Sequence, residues 1–186
     1  MAFKNTKTTY GSVIKWLHWV MALAIFGLFG LGVWMRTLTY YSPWYTPAPH
    51  WHQSIGIVLL ALLIFRFIWR LINIRPDEDY LKPFDRLAAH AVHIAFYVLL
   101  FIIMVSGYFI TSVDGTSVAV FNWFSIPSIY QKQGAEDIAG FIHWTLAYGI
   151  MALAVLHTIA ALKHHYIDRD ITLKRMLPNQ WVNRSN

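Results

Sequence analysis

The sequence predicts an all-α membrane protein, a bundle of four transmembrane helices that run up and down with both termini in the cytoplasm. Two observations predict this fold class. The 186 residues are 57% hydrophobic and only 13% charged, whereas a soluble domain is about 25% charged. The chain also contains four stretches of about 20 mainly apolar residues, each long enough to cross a hydrocarbon core about 30 Å thick.

The four apolar stretches define the helices in chain order, at residues 16–35, 51–72, 87–111 and 139–162. They leave only short connections, so residues 1–186 are predicted to form a single membrane domain in the lipid bilayer. The first stretch is longer than the apolar part of a cleaved signal peptide, and no small-residue cleavage site follows it. We therefore expect the first stretch to be retained as a helix.

The positions of the basic residues orient the predicted bundle. Of the 15 Lys and Arg, 13 lie at the start of the chain, around the connection between the second and third stretches, or after the fourth. Only Arg36 and Lys132 lie on the other side. Because cytoplasmic loops carry the excess of positive charge, both termini are predicted to be cytoplasmic. The net charge of +6 therefore reflects orientation, and no nucleic-acid partner is expected.

The two predicted outer loops are rich in aromatic residues, which favour the boundary between membrane and water. The second, at residues 112–138, is the longest connection and contains Phe121, Trp123 and Phe124. We expect it to form an interfacial cap or a short surface helix rather than a free linker. Residues 163–186 are predicted to form a cytoplasmic tail.

Histidine is the residue type that can hold a cofactor in this chain. Cysteine is absent, which excludes disulfides, thiolate catalysis, iron–sulfur clusters and cysteine-anchored haem. Ionisable groups in membrane spans usually mark cofactors or proton paths. The predicted topology puts the nine histidines in two layers. The outer layer contains His50, His52 and His143, and the inner layer contains His18, His90, His93 and His157, with His164 and His165 at the cytoplasmic exit of the fourth helix.

Spacing on the fourth helix connects the two layers. His143 and His157 are fourteen residues apart, which is about 21 Å and nearly four turns, so they lie on nearly one face at two depths. A b-type haem needs two imidazoles that point at each other from different helices. The outer layer offers His52 opposite His143, and the inner layer offers His18 opposite His157.

Small residues follow these four histidines. A large side chain one helical turn along from a ligand would collide with the edge of a porphyrin. The residues four positions after the paired histidines are Ala22, Gly56, Ala147 and Ala161. His50 has Ser54 at this position and is the one competitor to His52. Small residues also let membrane helices approach each other, but that interpretation does not explain the histidine layers.

Arg66 repeats the fourteen-residue step, counted from His52. It should therefore lie on nearly the same face as His52, at the depth of the inner layer. An arginine there can pair with a haem propionate. The alternative is that its side chain snorkels to the cytoplasmic headgroups, and the sequence supports both interpretations equally.

A set of motifs runs through all four predicted helices. They are His18-Trp19, the segment 52–56, Arg66 with Arg70, His90 with His93, His143 with His157, and the segments 160–166 and 170–178. As a set they resemble the bacterial cytochrome b561 family of four-helix di-haem proteins, over nearly the whole chain. The resemblance implies two haem b groups, held by His18 with His157 and by His52 with His143. It also implies electron transfer across the bacterial inner membrane between an outer reactant and the quinone pool.

The resemblance also suggests a reaction. One branch of the family, similar to this chain in motif order, oxidises superoxide to O₂ at the outer face and passes the electron to ubiquinone near the inner face. We therefore expect a superoxide:quinone oxidoreductase. The outer side carries Arg36 and Lys132 against Asp114, Glu136 and Asp137, so the sequence gives no electrostatic support for the collection of an anion.

Three further histidines are candidates for contacts with quinone or haem. By the same resemblance, His164 is the first choice for a quinone contact or proton donor, since an imidazole can supply a proton near neutral pH. The alternative is a polar residue at a helix end. His90 and His93 lie one turn apart and can both face the bundle. They are candidates for a propionate, quinone or proton contact, or are interfacial histidines that bind water.

Two other functions compete with this expectation. The chain could be a membrane anchor and electron carrier for a separate dehydrogenase or another periplasmic redox partner, docked on the aromatic outer loop. It could also be a haem-free transporter or scaffold whose histidines carry protons or metal. Reduced-minus-oxidised spectra separate the haem-free class from the other two.

Overall fold

The computed structural model describes residues 2–177 and contains the four long helices that the apolar stretches predict. They are α1 (Ser12–Met35), α2 (Pro47–Ile72), α3 (Pro83–Ser112) and α4 (Ala135–Tyr166). All four are long and apolar enough to cross a membrane. The prediction of four membrane helices is confirmed.

Each helix begins four residues before its predicted start. The first turns of α2 and α3 begin with Pro47 and Pro83, and proline is tolerated there because the first N–H groups of a helix have no partner within it. The first turn of α4 contains Glu136 and Asp137, which the positive end of the helix dipole stabilises. Apolar length alone does not reveal these polar first turns.

The helices pack in chain order, α1 on α2, α2 on α3 and α3 on α4, whereas α1 and α4 make little direct contact within residues 2–177. A buried apolar layer lies between the two histidine layers and consists of Met21, Leu59, Leu63, Leu100 and Ile150. Large apolar side chains such as Ile68, Phe101 and Leu156 are exposed on the outside of the bundle. A continuous apolar exterior of this kind is typical of a surface that contacts lipid.

The connection between α3 and α4 contains a β-hairpin, so the alternative of a short surface helix is wrong, and the chain is mostly helical rather than all-α. Strand β1 (Val118–Val120) pairs antiparallel with β2 (Phe124–Ile126). Phe121 and Asn122 reverse the chain with positive φ angles of 48° and 61°.

A buried serine of α2 anchors this hairpin. Ser54 is 0% exposed, and its hydroxyl accepts a hydrogen bond from the Phe121 N–H at 3.0 Å. Val118 and Val120 are buried as well. The hairpin was not predicted because its stabilising partner lies more than 60 residues away in the sequence.

Both ends of the described chain lie at the same end of the bundle. Nζ of Lys15 donates a hydrogen bond to the Leu177 carbonyl at 3.0 Å, and Nε1 of Trp19 donates to the Met176 carbonyl at 2.9 Å. We call this the terminal end and the opposite one the hairpin end. The terminal end is the one predicted to face the cytoplasm.

The predicted tail, residues 163–186, has three parts. Its first residues belong to α4, which continues to Tyr166 because basic residues stabilise the last turn of a helix. A short helix α5 (Thr172–Met176) follows. Residues 178–186 lie outside the described chain.

Candidate functional site

Two histidine rings face each other at the hairpin end. The ring centres of His52, on α2, and His143, on α4, are 6.0 Å apart. Two metal–imidazole bonds of about 2 Å each hold the ligating nitrogens about 4 Å apart and the ring centres about 6 Å apart. The pair therefore fits an iron atom between the two imidazoles.

The hydrogen bonds of His143 leave one of its nitrogens available to a metal. Nδ1 of His143 donates to the Ile103 carbonyl at 2.9 Å and lies 3.3 Å from Oγ of Ser106. Metal-bound histidines usually have their second nitrogen held in this way, which fixes the ring orientation. Nδ1 of His52 is buried and has no hydrogen-bond partner within residues 2–177.

A cavity of about 670 Å³ surrounds His52 and His143, which is within the range of about 300–1,000 Å³ for cofactor and ligand sites. Gly56 and Ala147, two of the four small residues predicted to make room for a porphyrin, line it. Among the described residues His52 lines the cavity and His50 does not. The cavity therefore favours His52 as the ligand on α2.

Two glycines that the sequence analysis missed contact the same rings. A Cβ atom at Gly107 of α3 would lie 2.9 Å from Cε1 of His143, and one at Gly32 of α1 would lie 3.3 Å from Cε1 of His52. Both distances are shorter than ordinary contacts between carbon atoms. Helical spacing relates each histidine only to residues on its own helix, and these glycines are on other helices.

Gly107→Ala is expected to displace the His143 ring and to lower the haem content of the purified protein. The added methyl group overlaps a ring that is already held by the Ile103 carbonyl. The matched control is Gly149→Ala on α4, where a Cβ atom meets nothing within 4 Å. Both changes raise helix propensity equally, by about 1 kcal/mol. Equal haem-to-protein ratios in the two variants would contradict the close approach.

The terminal end brings three histidine rings together. The ring centre of His157, on α4, is 6.3 Å from that of His18, on α1, and 5.8 Å from that of His93, on α3. The distances alone allow either pair. Because α3 packs closely on α4 while α1 and α4 make little contact within the described chain, the space between helices favours His18 with His157.

Arg66 lies beside His18 inside the bundle. Its Nη2 atom is 3.4 Å from Nδ1 of His18, and its Nε atom is buried without a hydrogen-bond partner in the described chain. A buried donor without an acceptor costs about 1–3 kcal/mol, and a propionate carboxylate there would remove this cost. The position favours propionate pairing over snorkelling.

The two histidines at the start of α3 have different surroundings. His93 contacts the ring of His157. Nε2 of His90 lies 2.9 Å from Oε2 of Glu78, in the connection between α2 and α3. Of the two, His93 is the one that the structure brings to the histidine layer.

His164 lies in the last turn of α4 against two aspartates. Its Nδ1 atom is 2.7 Å from Oδ2 of Asp170 and 3.2 Å from Oδ2 of Asp168. Burial alone would raise the pKa of the Asp170 carboxyl, but hydrogen bonds from Thr172 and His164 lower that pKa below its ordinary value. The Asp170 carboxylate is therefore ionised at neutral pH and accepts a hydrogen bond from Nδ1 of His164.

Comparison with known proteins identifies relatives of the chain. The family model described as prokaryotic cytochrome b561 matches residues 9–179. Cytochrome b561 homolog 2 of Escherichia coli K12 is 47% identical over 179 residues, which cover 95% of this chain and 95% of that protein. The probable superoxide oxidase CybB of Yersinia pestis is 31% identical over 147 residues, which cover 75% of this chain and 78% of that protein.

Proposed function

Because the chain belongs to the prokaryotic cytochrome b561 family of membrane electron-transfer proteins, we propose that it carries two b-type haems and transfers electrons across the bacterial inner membrane from superoxide to ubiquinone. Two superoxide anions each lose one electron and leave as O₂, and one ubiquinone takes up two electrons and two protons. The observation that carries the proposal is the presence of two facing histidine pairs at opposite ends of one bundle.

His52 and His143 hold one haem, and His18 and His157 hold the other. When bound, the haems supply one-electron redox chemistry at the two layers. The apolar layer between them, which includes Leu59, keeps water out of the middle of the bundle. The same layer would leave protons no aqueous path between the two histidine layers.

His164 gives a proton to the quinone. It follows His157 by seven residues, which places it on nearly the same face of α4 about 10 Å nearer the terminal end. Asp170 orients the imidazole by accepting a hydrogen bond from its Nδ1 atom. Nζ of Lys163 lies 2.6 Å from Oδ2 of Asp168. This exposed ion pair connects the site to the solvent, from which protons are replaced.

His93 and Arg66 complete the surroundings of the haem at the terminal end. His90 pairs with Glu78 at the border of this site.

Superoxide as the outer reactant is supported by the similarity to a protein named probable superoxide oxidase. The predicted orientation supports it too, because the excess of basic residues at the terminal end predicts that the hairpin end faces the periplasm. Superoxide is an anion that does not cross the apolar core readily, so its site belongs at the hairpin end.

Rapid mixing tests this function. Superoxide is expected to reduce the purified, oxidised protein rapidly, and added ubiquinone is expected to reoxidise it. The double variant His52→Ala, His143→Ala lacks the ligands at the hairpin end and should lose most of the rate of reduction. Equal rates in the two proteins would rule out superoxide oxidation at this haem.

A second candidate function is a membrane anchor that carries electrons between the quinone pool and a separate dehydrogenase or other periplasmic redox partner. The hairpin favours it, because Trp123 is 77% exposed and Phe124 is 54% exposed. An exposed aromatic surface is typical of a docking site, although aromatic residues also suit the membrane boundary. This function predicts paired b-type spectra together with slow reduction by superoxide.

A further inference from the structure

Arg36 lies at the mouth of the cavity at the hairpin end. It is the C-cap residue of α1 and lines the cavity. Its guanidinium carbon is 4.1 Å from the centre of the Trp144 ring, and Trp144 directly follows His143 in α4. Stacking on an aromatic ring restricts the guanidinium and orients its N–H donors.

The charge of Arg36 is not balanced within the described chain. Among the described residues that line the cavity, Arg36 is the only Lys or Arg, and there is no Asp or Glu. Arg36 also takes part in none of the ion pairs between residues 2 and 177. A positive charge at the edge of an apolar cavity favours an anionic group on the ligand.

Two neighbouring polar side chains already have partners. Nε2 of Gln53 donates to Oγ1 of Thr111 at 2.8 Å, and the Tyr108 hydroxyl donates to the Pro127 carbonyl at 2.6 Å. These two residues also line the cavity. The guanidinium of Arg36 therefore provides the charged donors among the described residues that line the cavity, and their planar arrangement matches a carboxylate.

We propose that Arg36 binds a propionate carboxylate of the haem at the hairpin end and raises the reduction potential of that haem. The proposal rests on the proposed function only in that a haem occupies this cavity. Reduction adds an electron, so a nearby positive charge stabilises the reduced form more than the oxidised form. Removal of the charge lowers the potential.

Spectroelectrochemical titration of the purified, haem-loaded protein tests the proposal. Arg36→Gln is expected to lower one of the two midpoint potentials, by as much as a tenfold change in the reduction equilibrium, or 59 mV for one electron. The affected potential should be the one that is missing in His143→Ala. Arg36→Lys, which keeps the charge and loses the planar fork, should give a smaller shift.

The matched control is Lys132→Gln, which removes the other predicted outer cation. Lys132 does not line the cavity. It should leave both potentials unchanged. Unchanged potentials in Arg36→Gln, or an equal shift in Lys132→Gln, would overturn the proposal. Failure of the proposed function gives a different result. If no haem occupies this cavity, wild-type protein lacks one of the two potentials before any variant is made; if only superoxide oxidation fails, rapid mixing shows it while both potentials stay measurable.

Discussion

Replacement of His18 by alanine is expected to remove the haem at the terminal end and to spare the haem at the hairpin end. His18 and His157 face each other across the open side of the bundle, with ring centres 6.3 Å apart. A haem with one of two axial ligands missing is bound weakly and has an altered spectrum. The haem-to-protein ratio should fall from two to about one, with the remaining reduced-minus-oxidised spectrum that of one centre.

His93→Ala is the matched comparison for this prediction. Its ring is as close to His157 as that of His18, at 5.8 Å, but it lies on α3, which packs tightly on α4. This variant should keep both haems. The opposite pattern, with haem lost in His93→Ala and kept in His18→Ala, would transfer the ligand role to His93. Helical circular dichroism excludes misfolding as the cause in either variant.

His164→Gln is expected to slow the reoxidation of reduced protein by ubiquinone by about a hundredfold or more, the contribution typical of a positioned proton donor. The imidazole is held by the ionised carboxylate of Asp170 at 2.7 Å, and glutamine keeps the polarity of the side chain but cannot give up a proton. The haem spectra and the rate of reduction by superoxide should not change. Stopped-flow mixing with quinone measures the effect.

His165→Gln provides the control on the same helical turn. His165 has its Nδ1 atom buried without a hydrogen-bond partner in the described chain, and its ring packs on Tyr166 at 4.7 Å between ring centres. It lacks the carboxylate partner that His164 has, so its replacement should have little effect on quinone reduction. A larger effect in His165→Gln than in His164→Gln would show that the proton donor has been misassigned.

The membrane helices and the family were predictable because both depend on local features of the chain. A run of about 20 apolar residues specifies a spanning helix whatever its neighbours are, and the comparison over residues 9–179 confirms the family resemblance. The polar first turns of α2, α3 and α4 were missed because their stabilisation comes from proline geometry and the helix dipole rather than from apolar length. The hairpin was missed because Ser54 on another element holds it.

The residues of the candidate site also divide into those that the sequence predicted and those that it did not. Helical spacing predicted that His143 and His157 lie on one face, and the small residues Gly56 and Ala147 were singled out from their positions after His52 and His143. The sequence did not decide whether Arg66 contacts lipid headgroups or a haem propionate. In the structure the Arg66 side chain lies next to His18, and its buried Nε atom has no hydrogen-bond partner in the described chain, which favours the propionate. The sequence contained no sign of the close approach between Gly107 and His143, because it shows only a glycine within an apolar helix.

The number and order of the membrane helices, the family and the histidines available to a cofactor could be read from the sequence alone. Apolar length, motif order and helical spacing are properties of one chain segment at a time. The groups that meet across helices could be read only from the folded bundle: His52 faces His143, the backbone of Gly107 leaves room for the His143 ring, and Arg36 stacks on Trp144. These contacts depend on how each helix rotates and packs against its neighbours. That arrangement is set by all the helices together, so no single segment of the sequence contains it.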